Sequence, residues 1–188
     1  GLATGSIDQT PRVRAHQRTA WHMCLVQLAT LALDRANRSE LPQDSETWTQ
    51  LLRNLSNAEN KGFGDNPWRL IVEDRDSPAF LQPPDPGGLK WKSVDTPNAF
   101  DILITSRHHD LKQNIGYPPD PEDWIYALIS VQTMEGYGGK FNYGIARMNG
   151  GSSSRPFLGL VPADSNGTPD RSAWWRRDVE LCLGHHRN

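Results

Sequence analysis

The sequence of 188 residues predicts an α+β domain: several helices packed on a small, mainly antiparallel sheet, with long Pro- and Gly-rich loops. Apolar residues recur at three- and four-residue steps in several segments, the period of a helix with a buried face. Shorter apolar runs at 68–72, 100–105, 143–148 and 157–161 have the length of strands. Prolines and glycines crowd the connections, where they forbid regular structure.

The first helical period starts near His16. Trp21, Cys24, Leu25, Leu28, Leu31 and Ala32 form its stripe, and Val26, Ala29 and Leu33 widen it, so cover on most sides is expected. His16 and His22 flank it and read as capping or core-edge histidines before they read as metal ligands. After Leu41-Pro42-Gln43, Ser45 is placed to cap a second helix carrying Trp48, Leu51, Leu52 and Leu55. Residues 54–67 read as a loop, and 68–72 as a short strand. Pro78, Pro83, Pro84, Pro86, Gly87 and Gly88 then make a loop long enough to suggest function. Residues 100–105 are β-like. Asp120-Pro121-Glu122-Asp123 is a helix start, with an N-cap acid, proline at the first position and acids on the positive dipole end. Trp124, Ala127, Leu128, Val131 and Met134 form the stripe of that helix. Thr168-Pro169-Asp170 caps a last helix bearing Trp174, Asp178, Val179 and Cys182.

Length favours one domain spanning 1–188. A net charge of -2 excludes a generally basic coat for nucleic acid, so any polyanion site has to be local. The seven tryptophans are spread along the chain and are expected to anchor the core. Cys24 and Cys182 make neither a zinc site nor a disulfide framework, and reduced thiols in the cytoplasm are the expectation. No apolar run has the length of a membrane span, and no secretory signal is visible. The chain opens on Gly1 and not on methionine, which is expected of a piece of a longer protein.

One stretch concentrates the unusual chemistry. Gly136, Gly138 and Gly139 follow the third helical segment, and Lys140 comes next. No acidic residue occurs from Gly136 to Pro162, so Lys140, Arg147 and Arg155 stand without neutralising sequence neighbours. Glycine permits close backbone approach, and successive exposed N–H groups form a concave anion site. With Asn142 and Asn149, these residues make a candidate surface for a polyanion backbone. The plainer reading is a helix C-cap followed by a hairpin with a Gly-Gly turn. The P-loop spacing fails, the dinucleotide fingerprint is absent, and there is no Gly-x-Ser-x-Gly nucleophile elbow. His108-His109-Asp110 is the other reactive cluster, since imidazole and carboxylate suit divalent metals. It would serve a metal-dependent phosphohydrolase or nuclease, with further ligands sought among His16, His22, His185 and His186. Arg171, Arg176 and Arg177 form a basic cluster on the last helix, read as a solvated face.

Three blocks carry a resemblance. Arg14-x-His16-Gln17-Arg18-x-Ala20-Trp21-His22 leads into Leu25-Val26-Gln27-Leu28-Ala29. Thr105 to Gln113 is the second block. Gly136-Tyr137-Gly138-Gly139-Lys140 through Arg147-Met148-Asn149-Gly150-Gly151 to Ser154-Arg155-Pro156-Phe157 is the third. In this order they resemble the CasA family, the large subunit of the type I-E CRISPR surveillance complex Cascade. The resemblance implies a DNA-recognition subunit that is not the nuclease, has no cofactor and works in the cytoplasm. Its implied partners are double-stranded target DNA, the CRISPR guide RNA, other Cascade subunits and the helicase-nuclease that it helps recruit. Gly136, Gly138 and Gly139 would be the loop that approaches the PAM, the short motif beside the target, from the minor groove. Arg107, His108, His109, Lys112 and Gln113 would belong to a loop near the guide RNA and PAM-proximal DNA. The chain would then be part of the family's N-terminal domain, with its lysine finger and glutamine wedge downstream. A minor groove is narrow and its base pattern degenerate, so bare glycine backbone suits a reader that accepts several motifs. Guide pairing would carry the sequence specificity. Two other expectations stand beside this one, the metal-dependent hydrolase using His108, His109 and Asp110, and an assembly module whose glycines serve only turns.

Overall fold

A computed structural model describes residues 2–4, 12–57, 62–91, 93–99, 119–134 and 159–187. Among the described residues the four longer helices are α1 (Arg18–Arg35), α2 (Ser45–Asn57), α3 (Pro121–Met134) and α4 (Arg171–His186). Short 3-10 turns stand at Leu2–Thr4, Ala15–Gln17, Asn66–Trp68 and Pro97–Ala99.

The expected sheet is corrected. Among the described residues there is none, and β-type pairing is confined to two isolated antiparallel bridges, Ala79 with Gln82 and Ala163 with Pro169. Residues 68–72 close a 3-10 turn and run on irregularly, with Ile71 80% exposed. The backbone there bonds across turns, Phe80 N–H to the Arg69 carbonyl and Asp85 N–H to that of Arg75. Prolines 78, 83, 84 and 86 remove the donors a ladder needs. At the end of the 157–161 run, residues 159–161 form no strand and Leu160 is 84% exposed. The runs at 100–105 and 143–148 lie outside the described residues.

The chain divides into two compact units, and the division falls inside α1, between Trp21 and His22. The first comprises Gly1–Pro11, His22–Gly64 and Leu158–Asn188. Its core gathers Ala3, Val26, Ala29, Ala32, Leu33, Leu51, Trp175, Val179 and Leu183. Here Trp48 meets Trp175 edge-on, with centroids 5.7 Å apart, and donates its indole N–H to the Pro42 carbonyl. Cys24 and Ala32 of the expected α1 stripe are buried together with the residues that widen it, Val26, Ala29 and Leu33, whereas Leu31 is exposed. Helix α2 is capped one residue earlier than expected: Asp44 accepts from the Thr47 N–H at 2.6 Å and from its hydroxyl at 2.8 Å. Asp170 caps α4 as predicted, accepting from the Ala173 N–H at 2.8 Å.

The second unit comprises Arg12–Trp21 and Asp65–Phe157. Helix α3 packs on the turns at Ala15–Gln17 and Pro97–Ala99. It is buried on more than the expected stripe: Tyr126, Ala127, Ile129, Ser130, Gln132 and Thr133 are all inside. Its buried hydroxyls return to the helix, Ser130 to the Tyr126 carbonyl and Thr133 to that of Ile129. The Gln132 amide donates to the Leu81 carbonyl at 2.8 Å, which ties the proline-rich loop to this helix. Trp21 stands edge-on to Tyr126 at 5.2 Å. Arg12 bridges Asp120 and Asp123 at the start of α3, where acids favour the positive dipole end.

Candidate functional site

The glycine and cation residues Gly136, Gly138, Gly139, Lys140, Asn142, Arg147, Asn149 and Arg155 lie outside the described residues, as do Arg107, His108, His109, Asp110, Lys112 and Gln113. The structure describes the downstream end of the acid-free stretch, from Gly159 on. Its upstream end follows α3, whose last residue is Met134. A helix C-terminus offers carbonyls and the negative end of the macrodipole, so any hold on phosphate there falls to Lys140, Arg147 and Arg155.

The downstream end is built in more detail. Gly159 lies against the indole of Trp174: a Cβ added there would sit 2.9 Å from the indole Cζ2, closer than a side chain tolerates. Trp174 in turn stacks on His22, with ring centroids 3.5 Å apart and planes 12° from parallel. The His22 Nε2 lies 2.8 Å from the Asp178 Oδ2. Arg177 occupies the other carboxylate oxygen, donating from Nε and Nη2 at 2.8 and 2.7 Å. Asp170 starts the helix that carries Trp174, Arg177 and Asp178, and α1 supplies His22.

Burial pushes the His22 pKa down, and it outweighs the attraction of Asp178, so the ring is neutral at pH 7 and its Nε2–H donates to the carboxylate. Burial pushes the Asp178 carboxyl up, but the bonds from His22 and Arg177 and the charge of Arg177 prevail and hold it below the usual carboxylate range. One face of the imidazole is covered, one nitrogen is committed, and the carboxylate is shared. The cluster is therefore a brace that holds Trp174 against Gly159.

A pH dependence follows. The unfolded chain protonates His22 near the ordinary value of 6.5, and the folded chain protonates it lower. Between those values the unfolded state binds more protons, so stability contributed here is present above 6.5 and is lost as pH falls through that window. Urea unfolding at pH 8 and pH 5.5 should show a smaller difference for His22→Phe, which keeps a stacked ring, than for the wild type. Equal differences would contradict the assignment.

A cavity of about 10 Å³ lies among Arg14, Gln17, Pro97, Asn98, Asp123 and Ala127, space for one water and not for a substrate. Among the described residues no three His, Cys, Asp or Glu side chains group to hold a metal ion. The cysteines are free, and burial pushes the Cys24 thiol up to about 11, far from a reactive thiolate. No described helix is long and apolar enough to cross a membrane.

No family profile, curated protein or solved structure matches the chain. Function therefore rests on the residues themselves. Sequence reading placed Trp174 and Asp178 on the last helix and His22 at a core edge, but did not join them. Gly159 drew no notice, although a glycine inside a short apolar run is a sign of close approach by another group.

Proposed function

We propose that the chain is a non-catalytic DNA-recognition subunit of an RNA-guided CRISPR surveillance complex. It contacts the PAM-proximal duplex through Gly136, Gly138 and Gly139 and helps recruit the helicase-nuclease. The observation that carries this reading is the coincidence of the third CasA-like block with the acid-free stretch from Gly136 to Pro162. The other two blocks stand before it in the family's order.

Physical chemistry supports the division of labour. Lys140, Arg147 and Arg155 meet phosphates, which gives position and salt-dependent affinity without reading sequence. The glycines let backbone enter a groove too narrow for bulky side chains. Asn142 and Asn149 add donors and acceptors beside them. Arg107, His108, His109, Lys112 and Gln113 lie toward the guide RNA, in the cytoplasmic complex.

The test replaces Gly138 and Gly139 together by Val in the full-length subunit, assembled with its guide RNA and partner subunits. Gel-shift titration with a PAM-bearing duplex should show affinity reduced by about tenfold or more, a loss of one or more good contacts. Assembly, followed by size-exclusion chromatography, should be unchanged. Wild-type affinity would overturn the groove assignment, and joint loss of assembly and binding would favour a purely architectural role for the glycines.

A further inference from the structure

We infer that Trp174 is a positioning residue for the acid-free stretch, fixing its downstream end by clasping Gly159 while His22, tied to Asp178, stacks on the indole. The inference rests on the reading above for its effect on DNA, but the clasp itself stands on described geometry.

Three observations carry it. First, the approach of Gly159 to the indole leaves no room for even a methyl group, with the added Cβ only 2.9 Å from Cζ2 and 3.5 Å from Cε2. Other described glycines at turns meet nothing within 4 Å, so the crowding at Gly159 belongs to this contact and not to turns in general. Second, the indole cannot easily retreat. Its stacked partner His22 sits at 3.5 Å and is tied to Asp178, which is tied to Arg177. Third, the chain beyond Gly159 is held as well. The Asp170 N–H bonds to the Pro162 carbonyl at 2.7 Å, and the Asp164 N–H to that of Thr168 at 2.8 Å. The Asp164 carboxylate accepts from the N–H groups of Asn166 and Thr168. Residues 159–170 thus return the chain onto the start of α4 by a tight turn.

The consequence concerns entropy. Arg155 lies four positions before Gly159 in the sequence, so a fixed Gly159 limits the volume that its guanidinium can explore. A cation held near its phosphate loses less freedom on binding than one on an untethered segment. Trp174 would raise affinity without touching the duplex.

The experiment uses Gly159→Ala, Trp174→Phe and the double variant in the full-length subunit. The methyl of Gly159→Ala collides with the outer ring of the indole, and phenylalanine lacks that ring, so the second change should relieve the first. Two readouts are taken. Chymotrypsin cleavage after Phe157 should quicken several-fold in Gly159→Ala and return toward wild type in the double variant. Affinity of the assembled complex for a PAM-bearing duplex should fall by about tenfold in Gly159→Ala and recover in the double variant. Unchanged cleavage in Gly159→Ala overturns the clasp. Quickened cleavage with unchanged affinity overturns its role in binding, provided that the Gly138 and Gly139 variant does lose affinity. If that variant binds as wild type, the DNA reading itself has failed, and cleavage alone decides the clasp. A Gly159→Ala defect that Trp174→Phe does not relieve also overturns it, because the collision would then lie elsewhere.

Discussion

Trp175→Ala should destabilise the first unit by about 3–5 kcal/mol, the range for emptying a buried indole site. Trp175 is 6% exposed and lies in the cluster with Leu33, Val179 and Leu183, drawn from α1 and α4. Truncation removes its contacts on these residues and its edge-on contact with Trp48. Surrounding side chains are fixed by three helices and cannot collapse fully into the space, so a cavity term adds to the lost transfer energy. Trp175→Phe is the control. It keeps an aromatic ring beside Trp48 and deletes an indole N–H that meets no acceptor among the described residues. A buried donor without a partner is costly, so its removal offsets part of the lost area. Urea unfolding followed by circular dichroism should rank wild type, Trp175→Phe and Trp175→Ala in that order. A loss under about 1 kcal/mol in Trp175→Ala would mean that the site is far less packed than its burial indicates.

The second large effect is electrostatic. Replacing Lys140, Arg147 and Arg155 together by Gln should lower affinity for PAM-bearing duplex by about a hundredfold or more. That follows from roughly 1–1.5 kcal/mol for each charge-assisted phosphate contact. The same variant should flatten the dependence of log K on log salt by about 0.9 for each contact removed. Gly138 and Gly139 variants should behave differently, losing affinity for the motif while keeping the salt slope, because backbone in a groove releases no counterions. The two variants thus separate attraction from reading. If the salt slope of the triple variant equals that of the wild type, these cations do not face phosphates, and the acid-free stretch has another purpose.

Legibility in the sequence differed by element. Asp170 announced α4 because N-capping is a local bond between a side chain and an amide a few residues on, and Asp120-Pro121 announced α3, where the Asp120 N–H donates to the Asp123 carboxylate at 3.1 Å. The same logic misplaced the cap of α2 by one residue, since Asp44 and Ser45 are both capable and only the backbone angle chooses. The strand reading at 68–72 failed for a different reason. Four apolar residues among the five at 68–72 resemble a strand in isolation, but a strand needs a partner edge, and the prolines that follow withhold the donors. Of the stripe expected on α3, Ala127 is buried, and Trp124, Leu128 and Val131 are only partly so. The buried Ser130, Gln132 and Thr133 of this helix look solvent-facing by residue type, but the Tyr126, Leu81 and Ile129 carbonyls accept from them inside.

The candidate site was legible as composition and illegible as geometry. The absence of acids between Gly136 and Pro162 can be counted on the page, and so can the glycines. The brace of His22, Trp174 and Asp178 cannot, because its members meet across 156 positions in the case of His22 and Asp178. Sequence alone determined the longer helices and the placement of charge, set by interactions between near neighbours. Tertiary structure alone decided which faces are buried, that the described chain has no sheet, and that Gly159 carries no side chain beside an indole. Those outcomes depend on which distant surfaces meet, and no local propensity encodes that meeting.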